Sequence, residues 1–364
     1  MKRDVPLAAI DPRPASIESA TYYPWFDWLR AVCASVVVLH HAGALKFWSQ
    51  SGNFAVVVFF ALSGWLIGGI LLDTKPGGLP RFYFNRAVRI WIPYYLALAL
   101  LLALSILREP VTAKWLEIVS YQVSFVYNLF GTRQLAEFHN AMPQQGTFSH
   151  SWSVNAEEQF YLVAPILLVL GARHLGRSPA VWGVLAVAAL ALAPLYLAIV
   201  LGVLAAIMTR RHGAIHRTRA GRWTLLTVLA LGAAALAVAP DHYQVIAPFP
   251  ALSIVLLLAA PGPQHAGGVL FGGMSYPLYL NHWIAIYAVN AVHKHGLPIG
   301  SALLRQVLVL AVAIALACAM YWWIDRPILK RRGAWFTARR GLVLTVSAYA
   351  MVAAGLVLGA ALWR

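Results

Sequence analysis

The segment FAVVVFFALSGWLIGGILL, residues 54–72, runs for 19 residues without an ionisable side chain. As a helix rising about 1.5 Å per residue it reaches across the roughly 30 Å hydrocarbon core of a bilayer. Comparable runs recur along the chain. The expected spans are 27–46, 54–73, 88–107, 155–173, 180–193, 195–209, 223–240, 244–261, 269–292, 301–324 and 340–363. Pro194 lies between the two short runs 180–193 and 195–209, which could also form one kinked helix. Segment 115–131 mixes Glu117, Gln122 and Asn128 with apolar residues and suits an interfacial helix or a re-entrant hairpin.

Composition supports this reading. Of 364 residues, 61% are apolar and 11% charged, and mean hydropathy is +0.70. A soluble domain carries about 25% charged residues, and a soluble monomer rarely exposes the apolar surface this chain would leave over. Disorder is excluded because there is too much to bury. A barrel would alternate in short segments, whereas these runs are continuous. The expected fold is all-α: a polytopic transmembrane helical bundle in the inner or plasma membrane.

The chain has 28 basic and 12 acidic residues, a formal charge of +16. The basic residues cluster in short loops, at Lys75, Arg81, Arg86 and Arg89, at 210–222, and at 326–340. That is the positive-inside pattern rather than a nucleic-acid footprint. It makes the N-terminus cytoplasmic and turns 108–154 outward. Residues 1–24 lack a signal-peptide core and are expected to form a cytoplasmic tail. Residues 25–333 read as one membrane domain, followed by an additional span at 340–363. Cys33 and Cys318 both lie in apolar stretches and build neither a disulfide framework nor a metal site.

Ionisable residues inside spans are costly and therefore point to function. In the first span, FDWLRAVCASVVVLHHAG (26–43), Asp27 and Arg30 are three apart and can pair. His41 follows Arg30 by eleven residues, which returns to nearly the same helix face about 17 Å further along. His40 points elsewhere. Ser63, Gly64, Gly68 and Gly69 in FFALSGWLIGG (59–69) suit close helix contact. Arg86 and Arg89 lie one turn apart at the mouth of the third span and could clamp a phosphate or pyrophosphate. In SHSWSVNAEEQFYLVAP (149–165), His150, Trp152, Ser153, Glu157 and Glu158 enter an apolar helix. Adjacent glutamates point to different faces, so one at most faces a given site, as general base or as orienter of a histidine. SYPLYLNHWIAI (275–286) adds Tyr276 and His282.

Taken together, these motifs resemble the acyltransferase 3 family of integral membrane acyltransferases. The resemblance is carried by Arg30 and His41 with ten residues between them in the first span, FFALSG (59–64), Arg86 and Arg89, HSWSVNAEEQFY (150–161), SYPLYLNHW (275–283) and Asp325-Arg326-Pro327. It covers residues 26 to 330, in order. Trp28 stands where the family has glycine, and Asp325 where it has glutamate.

The resemblance implies a ten-span core, with 340–363 as an extra helix. It also implies transfer of an acyl group, most often acetyl, from cytoplasmic acyl-CoA to an acceptor hydroxyl. Acetyl-CoA or another acyl-CoA is then a substrate rather than a resident cofactor. The acceptor is a glycan, a lipid-linked sugar or a small natural product such as a macrolide. His41 becomes the candidate base or acyl carrier, assisted by Glu158, Glu157 and Arg30. Arg86, Arg89 and Arg30 become the coenzyme contacts. Asp27, His150, Trp152, Ser153, Tyr276 and His282 support the site. Direct transfer and an acyl-histidine intermediate both fit this arrangement. A transporter would also place ionisable residues in helices, but no inverted repeat is visible.

Overall fold

Prolines open many of the helices, where the missing N–H costs nothing. They occupy the first turn of α1 (Pro24–His41), α3 (Leu79–Ile106), α6 (Pro179–Leu192) and α9 (Pro248–Leu258). A computed structural model describes residues 22–107, 109–131, 148–171, 173–296 and 299–362. The other helices of ten residues or more are α2 (Ser51–Asp73), α4 (Ala113–Val123), α5 (Ser151–Pro165), α7 (Leu197–His212), α8 (Arg219–Val238), α10 (Ala266–His295), α11 (Ala302–Met320), α12 (Arg326–Trp335) and α13 (Ala338–Leu362). No strand occurs among the described residues. Of the expected tail 1–24, residues 1–21 lie outside the described residues, as do 108 and 132–147 of the 108–154 segment.

Among the described residues side-chain caps start four helices: Thr112 accepts from Trp115 N, Thr218 from Gly221 N, Ser301 from Leu304 N and Thr337 from Arg340 N. After Pro165, α5 continues as a π-helical turn, Ile166–Leu170, and a second π turn, Tyr321–Asp325, joins α11 to α12. Such turns often mark functional sites.

Helix α2 is the hub, packed by α1, α7 and α9, while α10 lies between α1 and α11. Close approach of α2 to α7 rests on glycine. A Cβ on Gly64 would meet Ile199 O at 2.1 Å, and one on Gly202 would meet Ala61 O at 2.4 Å. The expectation of close contact therefore holds at Gly64, whereas nothing lies within 4 Å of a Cβ on Gly69.

Helix α13 is docked rather than appended. Tyr349 Oη donates to Leu162 O at 2.8 Å, and its oxygen takes the Tyr83 hydroxyl at 2.8 Å.

The structure modifies the expected spans. Among the described residues six helical stretches are long and apolar enough to cross a membrane: 51–73, 76–106, 194–212, 219–238, 302–335 and 338–362. The bent pair 240–246 and 248–258, at 49°, makes up to seven. The ten-span count is not confirmed. Helices α1, α5 and α10 fall outside the six because Asp27, Arg30, Glu157, Glu158, Asn281 and His282 lower their hydropathy or because they are short. The pair around Pro194 is two helices joined by a 3-10 turn, Pro194–Tyr196, not one long kinked helix. In 115–131 the helices Ala113–Val123 and Tyr127–Phe130 are each too short to span a bilayer. Helix α1 ends at His41 rather than 46, because the chain turns through Gly43 at φ +74°.

Candidate functional site

Three histidines from distant parts of the chain meet. His41 ends α1, His282 lies mid-way along α10 and is fully buried, and His150 caps the start of α5. The rings of His41 and His282 stack with centroids 4.9 Å apart and planes at 12°. His150 sits 4.8 Å from His282, edge-on.

The hydrogen bonds assign the tautomers. His282 Nδ1 is 2.7 Å from Tyr279 O, a carbonyl that can only accept, so this nitrogen carries a proton. In a neutral ring His282 Nε2 then accepts. Its partner, His41 Nδ1 at 2.9 Å, must therefore donate. The proton on Nδ1 leaves the lone pair of His41 on Nε2, the arrangement required of a base. The Trp283 indole lies 5.1 Å from the His41 ring.

A second network adjoins the first. Tyr279 Oη donates to His150 O at 2.8 Å, so Ser153 supplies the proton in its 2.6 Å contact with Tyr279 Oη. The ring of Tyr279 faces His150 at 5.2 Å on one side and Phe59 at 6.4 Å on the other.

Beyond Tyr279 opens a cavity of about 570 Å³. Tyr279, Ser153, Phe59 and Tyr276 belong to its lining, as do Asp27, Arg30, Arg86, Arg89 and Glu157. Lining residues Gln264 and Lys330 are exposed, so the cavity opens to the outside there. His41, His282, His150, Trp152 and Glu158 do not line it. The histidine cluster and the cavity are neighbouring compartments that share the Tyr279–Ser153 wall.

The two glutamates have separate environments. Ser63 Oγ donates to Glu157 Oε1 at 2.6 Å and Tyr161 Oη to its Oε2 at 2.9 Å, at the cavity wall. Glu158 takes the Trp91 indole N–H at 2.9 Å on Oε2, while its buried Oε1 has no partner. The Arg30 guanidinium is paired with Asp27 at 2.8 Å, and Asp27 also takes the Tyr22 hydroxyl. Arg86 lies over the rings of Phe82 and Tyr161, at 5.9 and 5.4 Å. Trp152 packs edge-on against Phe60, and Tyr276 Oη donates to Ile90 O at 3.2 Å. Among the described residues no group of three or more His, Cys, Asp or Glu side chains is disposed to hold a metal ion.

Sequence reading missed Tyr279 and Trp91. Tyr279 belongs to the quoted 275–286 motif, but its role as a shared wall depends on α5 packing against α10. Trp91 carries no sequence signal beyond following Arg86 and Arg89 by five and two residues. Ser63 was read only as a packing residue.

Comparison with known proteins follows from this geometry. A family model described as an acyltransferase domain of the acyltransferase 3 type matches residues 23–322. The peptidoglycan O-acetyltransferase OatA of Listeria monocytogenes is 29% identical over 160 residues, 42% of this chain and 25% of that protein. The O-acetyltransferase OatA of Staphylococcus aureus (strain NCTC 8325 / PS 47) is 26% identical over 155 residues, 41% of this chain and 25% of that protein. A putative membrane-bound transacylase, BcsY, of Komagataeibacter xylinus is 29% identical over 150 residues, 40% of this chain and 36% of that protein. The aligned part thus spans a quarter to about a third of these relatives. No solved structure matches.

Proposed function

The chain belongs to the acyltransferase 3 family, and from that premise we propose that it moves an acyl group, acetyl in the simplest case, from cytoplasmic acyl-CoA to a hydroxyl of a carbohydrate acceptor. The observation that carries this reading is the pairing of an open, arginine-lined cavity with a histidine whose Nε2 lone pair is free, the two separated by Tyr279 and Ser153. A carbohydrate acceptor is favoured because two of the relatives are named O-acetyltransferases, one of them of peptidoglycan.

In this mechanism the coenzyme enters the cavity. Arg86 and Arg89 hold its pyrophosphate, each guanidinium offering a fork of donors. Arg30 is held by Asp27 and sets the potential at the entrance. The acyl end passes the Tyr279–Ser153 wall to the His41 side, where the acceptor hydroxyl meets it. His41 Nε2 takes the hydroxyl proton as the oxygen attacks the thioester carbonyl. The C–S bond breaks, and the departing thiolate takes the proton from the imidazolium. His282 accepts the His41 Nδ1 hydrogen bond throughout and so keeps the tautomer. Glu157 is the carboxylate beside the donor. An acyl-histidine intermediate uses the same Nε2 as nucleophile.

The topology that suits this mechanism has α1, α5 and α10 crossing the membrane with the apolar helices, as a ten-span core with α13 outside it. The N-terminus and the Arg86–Arg89 mouth then face the cytoplasm at the plasma membrane.

The test is release of free thiol from acetyl-CoA, with label transfer to a glycan acceptor, by purified wild type and His41→Ala of equal fold quality. Transfer by wild type alone is the expected result. Equal transfer by both would remove His41 from the chemistry. Flux of acceptor in proteoliposomes lacking acyl-CoA would favour a transporter instead.

A further inference from the structure

Helix α12 brings a second group of cations to the cavity. Arg326, Lys330 and Arg332 all line it, together with Arg86 and Arg89 from α3. Their neighbour Arg331 does not. Among the described residues none of these five cavity cations has a carboxylate within ion-pair distance, whereas Arg30 does. Arg332 is close enough to Arg81, Arg86 and Arg89 for their charges to act on it. Six cations, Arg30 included, line the cavity against two carboxylates, Asp27 and Glu157, and such an excess of like charge costs energy unless an anion is to be held.

The arm is built to stay in place. Ile328 packs with Phe84 and Val88 of α3, and Phe336 meets the Phe84 ring at 5.5 Å. The Arg326 guanidinium lies 4.2 Å over the Trp322 ring. Helices α3 and α12 are thereby held in one relation, with two cation groups at one opening.

The charges can be matched to a donor. The pyrophosphate of coenzyme A carries one negative charge on each phosphate, which Arg86 and Arg89 match. A phosphate monoester carries about −1.5 to −2 at pH 7 and three acceptor oxygens, so it calls for at least two further cations. Resting on the acyl-CoA reading above, we propose that Arg326, Lys330 and Arg332 form a second anion subsite that holds the 3′-phosphate of the coenzyme. The enzyme then selects coenzyme A over its 3′-dephospho form.

The experiment compares binding of coenzyme A and 3′-dephospho-coenzyme A to the purified full chain by calorimetry. Wild type is expected to favour coenzyme A by about tenfold or more, the size of one or two charge-assisted hydrogen bonds. The double variant Lys330→Ala/Arg332→Ala should lose that preference, while its affinity for the dephospho form, which also reports folding, stays near wild type. Arg331→Ala, one residue outside the cavity, should behave as wild type. Binding of the dephospho form with equal affinity by wild type would overturn the subsite and leave the donor reading standing. That is also the outcome if the cluster holds anionic lipid head groups instead. A double variant that weakens both coenzymes alike would reduce α12 to general electrostatics and likewise overturn the subsite. Binding of neither coenzyme by wild type would overturn the donor reading and the subsite with it.

Discussion

The imidazoles of His41 and His282, 241 positions apart in sequence, stack with planes at 12° and share one hydrogen bond of 2.9 Å between Nδ1 and Nε2. Because Tyr279 O fixes the proton of His282 on Nδ1, the direction of that bond is set, and with it the tautomer of His41. The chemistry proposed for His41 thus depends on a residue that does not line the arginine-lined cavity.

Replacing that partner separates positioning from packing. His282→Leu should lower kcat for acyl transfer by roughly 10- to 100-fold, the range seen when a residue orienting a reactive group is lost. His282→Gln should recover part of the loss, since the amide oxygen can accept the His41 Nδ1–H where Nε2 did. Steady-state kinetics of the two variants at equal fold quality check this, and equal activity for Leu and Gln would count against a tautomer role.

The glutamates should separate as well. Glu157 lines the cavity and Glu158 does not. Glu157→Gln is therefore expected to reduce turnover by about 10²-fold, at the low end of what general acid–base groups contribute. Glu158→Gln keeps an acceptor for the Trp91 indole and should stay near wild-type turnover. The reverse order would move the functional carboxylate to Glu158.

The α2–α7 contact predicts a contrast among glycines. Gly64→Ala places a methyl group against the Ile199 carbonyl and should cost about 1–3 kcal/mol or more, as overpacking does. Gly69→Ala meets nothing and should be neutral or slightly stabilising through helix propensity. Thermal unfolding in one detergent compares the two directly.

Outside the spans, His216 offers a pH test. Burial pushes its pKa below the ordinary 6.5, where its ring lies edge-on to Trp65 at 5.4 Å with Nε2 3.3 Å from Ala259 O. The unfolded chain therefore binds the proton more readily than the folded one. The stability contributed by neutral His216 is present above pH 6.5 and is lost as pH falls from there through the lower folded value. His216→Phe should flatten that part of the thermal stability profile, and an unchanged slope would assign it to another group.

Helix identity was legible because apolar runs and prolines act locally. The runs at 54–73, 195–209, 223–240, 301–324 and 340–363 return as helices within a few residues. Span number was less legible, since α1 and α10 carry the polar residues that make them interesting and so lose the hydropathy by which spans are recognised. Asp27 with Arg30 was readable from a spacing of three. The pairing of His41 with His282 was not, because nothing local relates α1 to α10.

Sequence by itself determined that the chain is helical, rich in membrane-length apolar runs and similar to the acyltransferase 3 family, because periodicity, hydropathy and short motifs are written along the chain. Tertiary structure alone decided which nitrogen of His41 holds the lone pair, that Glu157 rather than Glu158 reaches the cavity, and that α12 brings its cations beside Arg86 and Arg89. Each of these depends on how one helix is rotated and seated against another, and that is set by packing across the whole bundle.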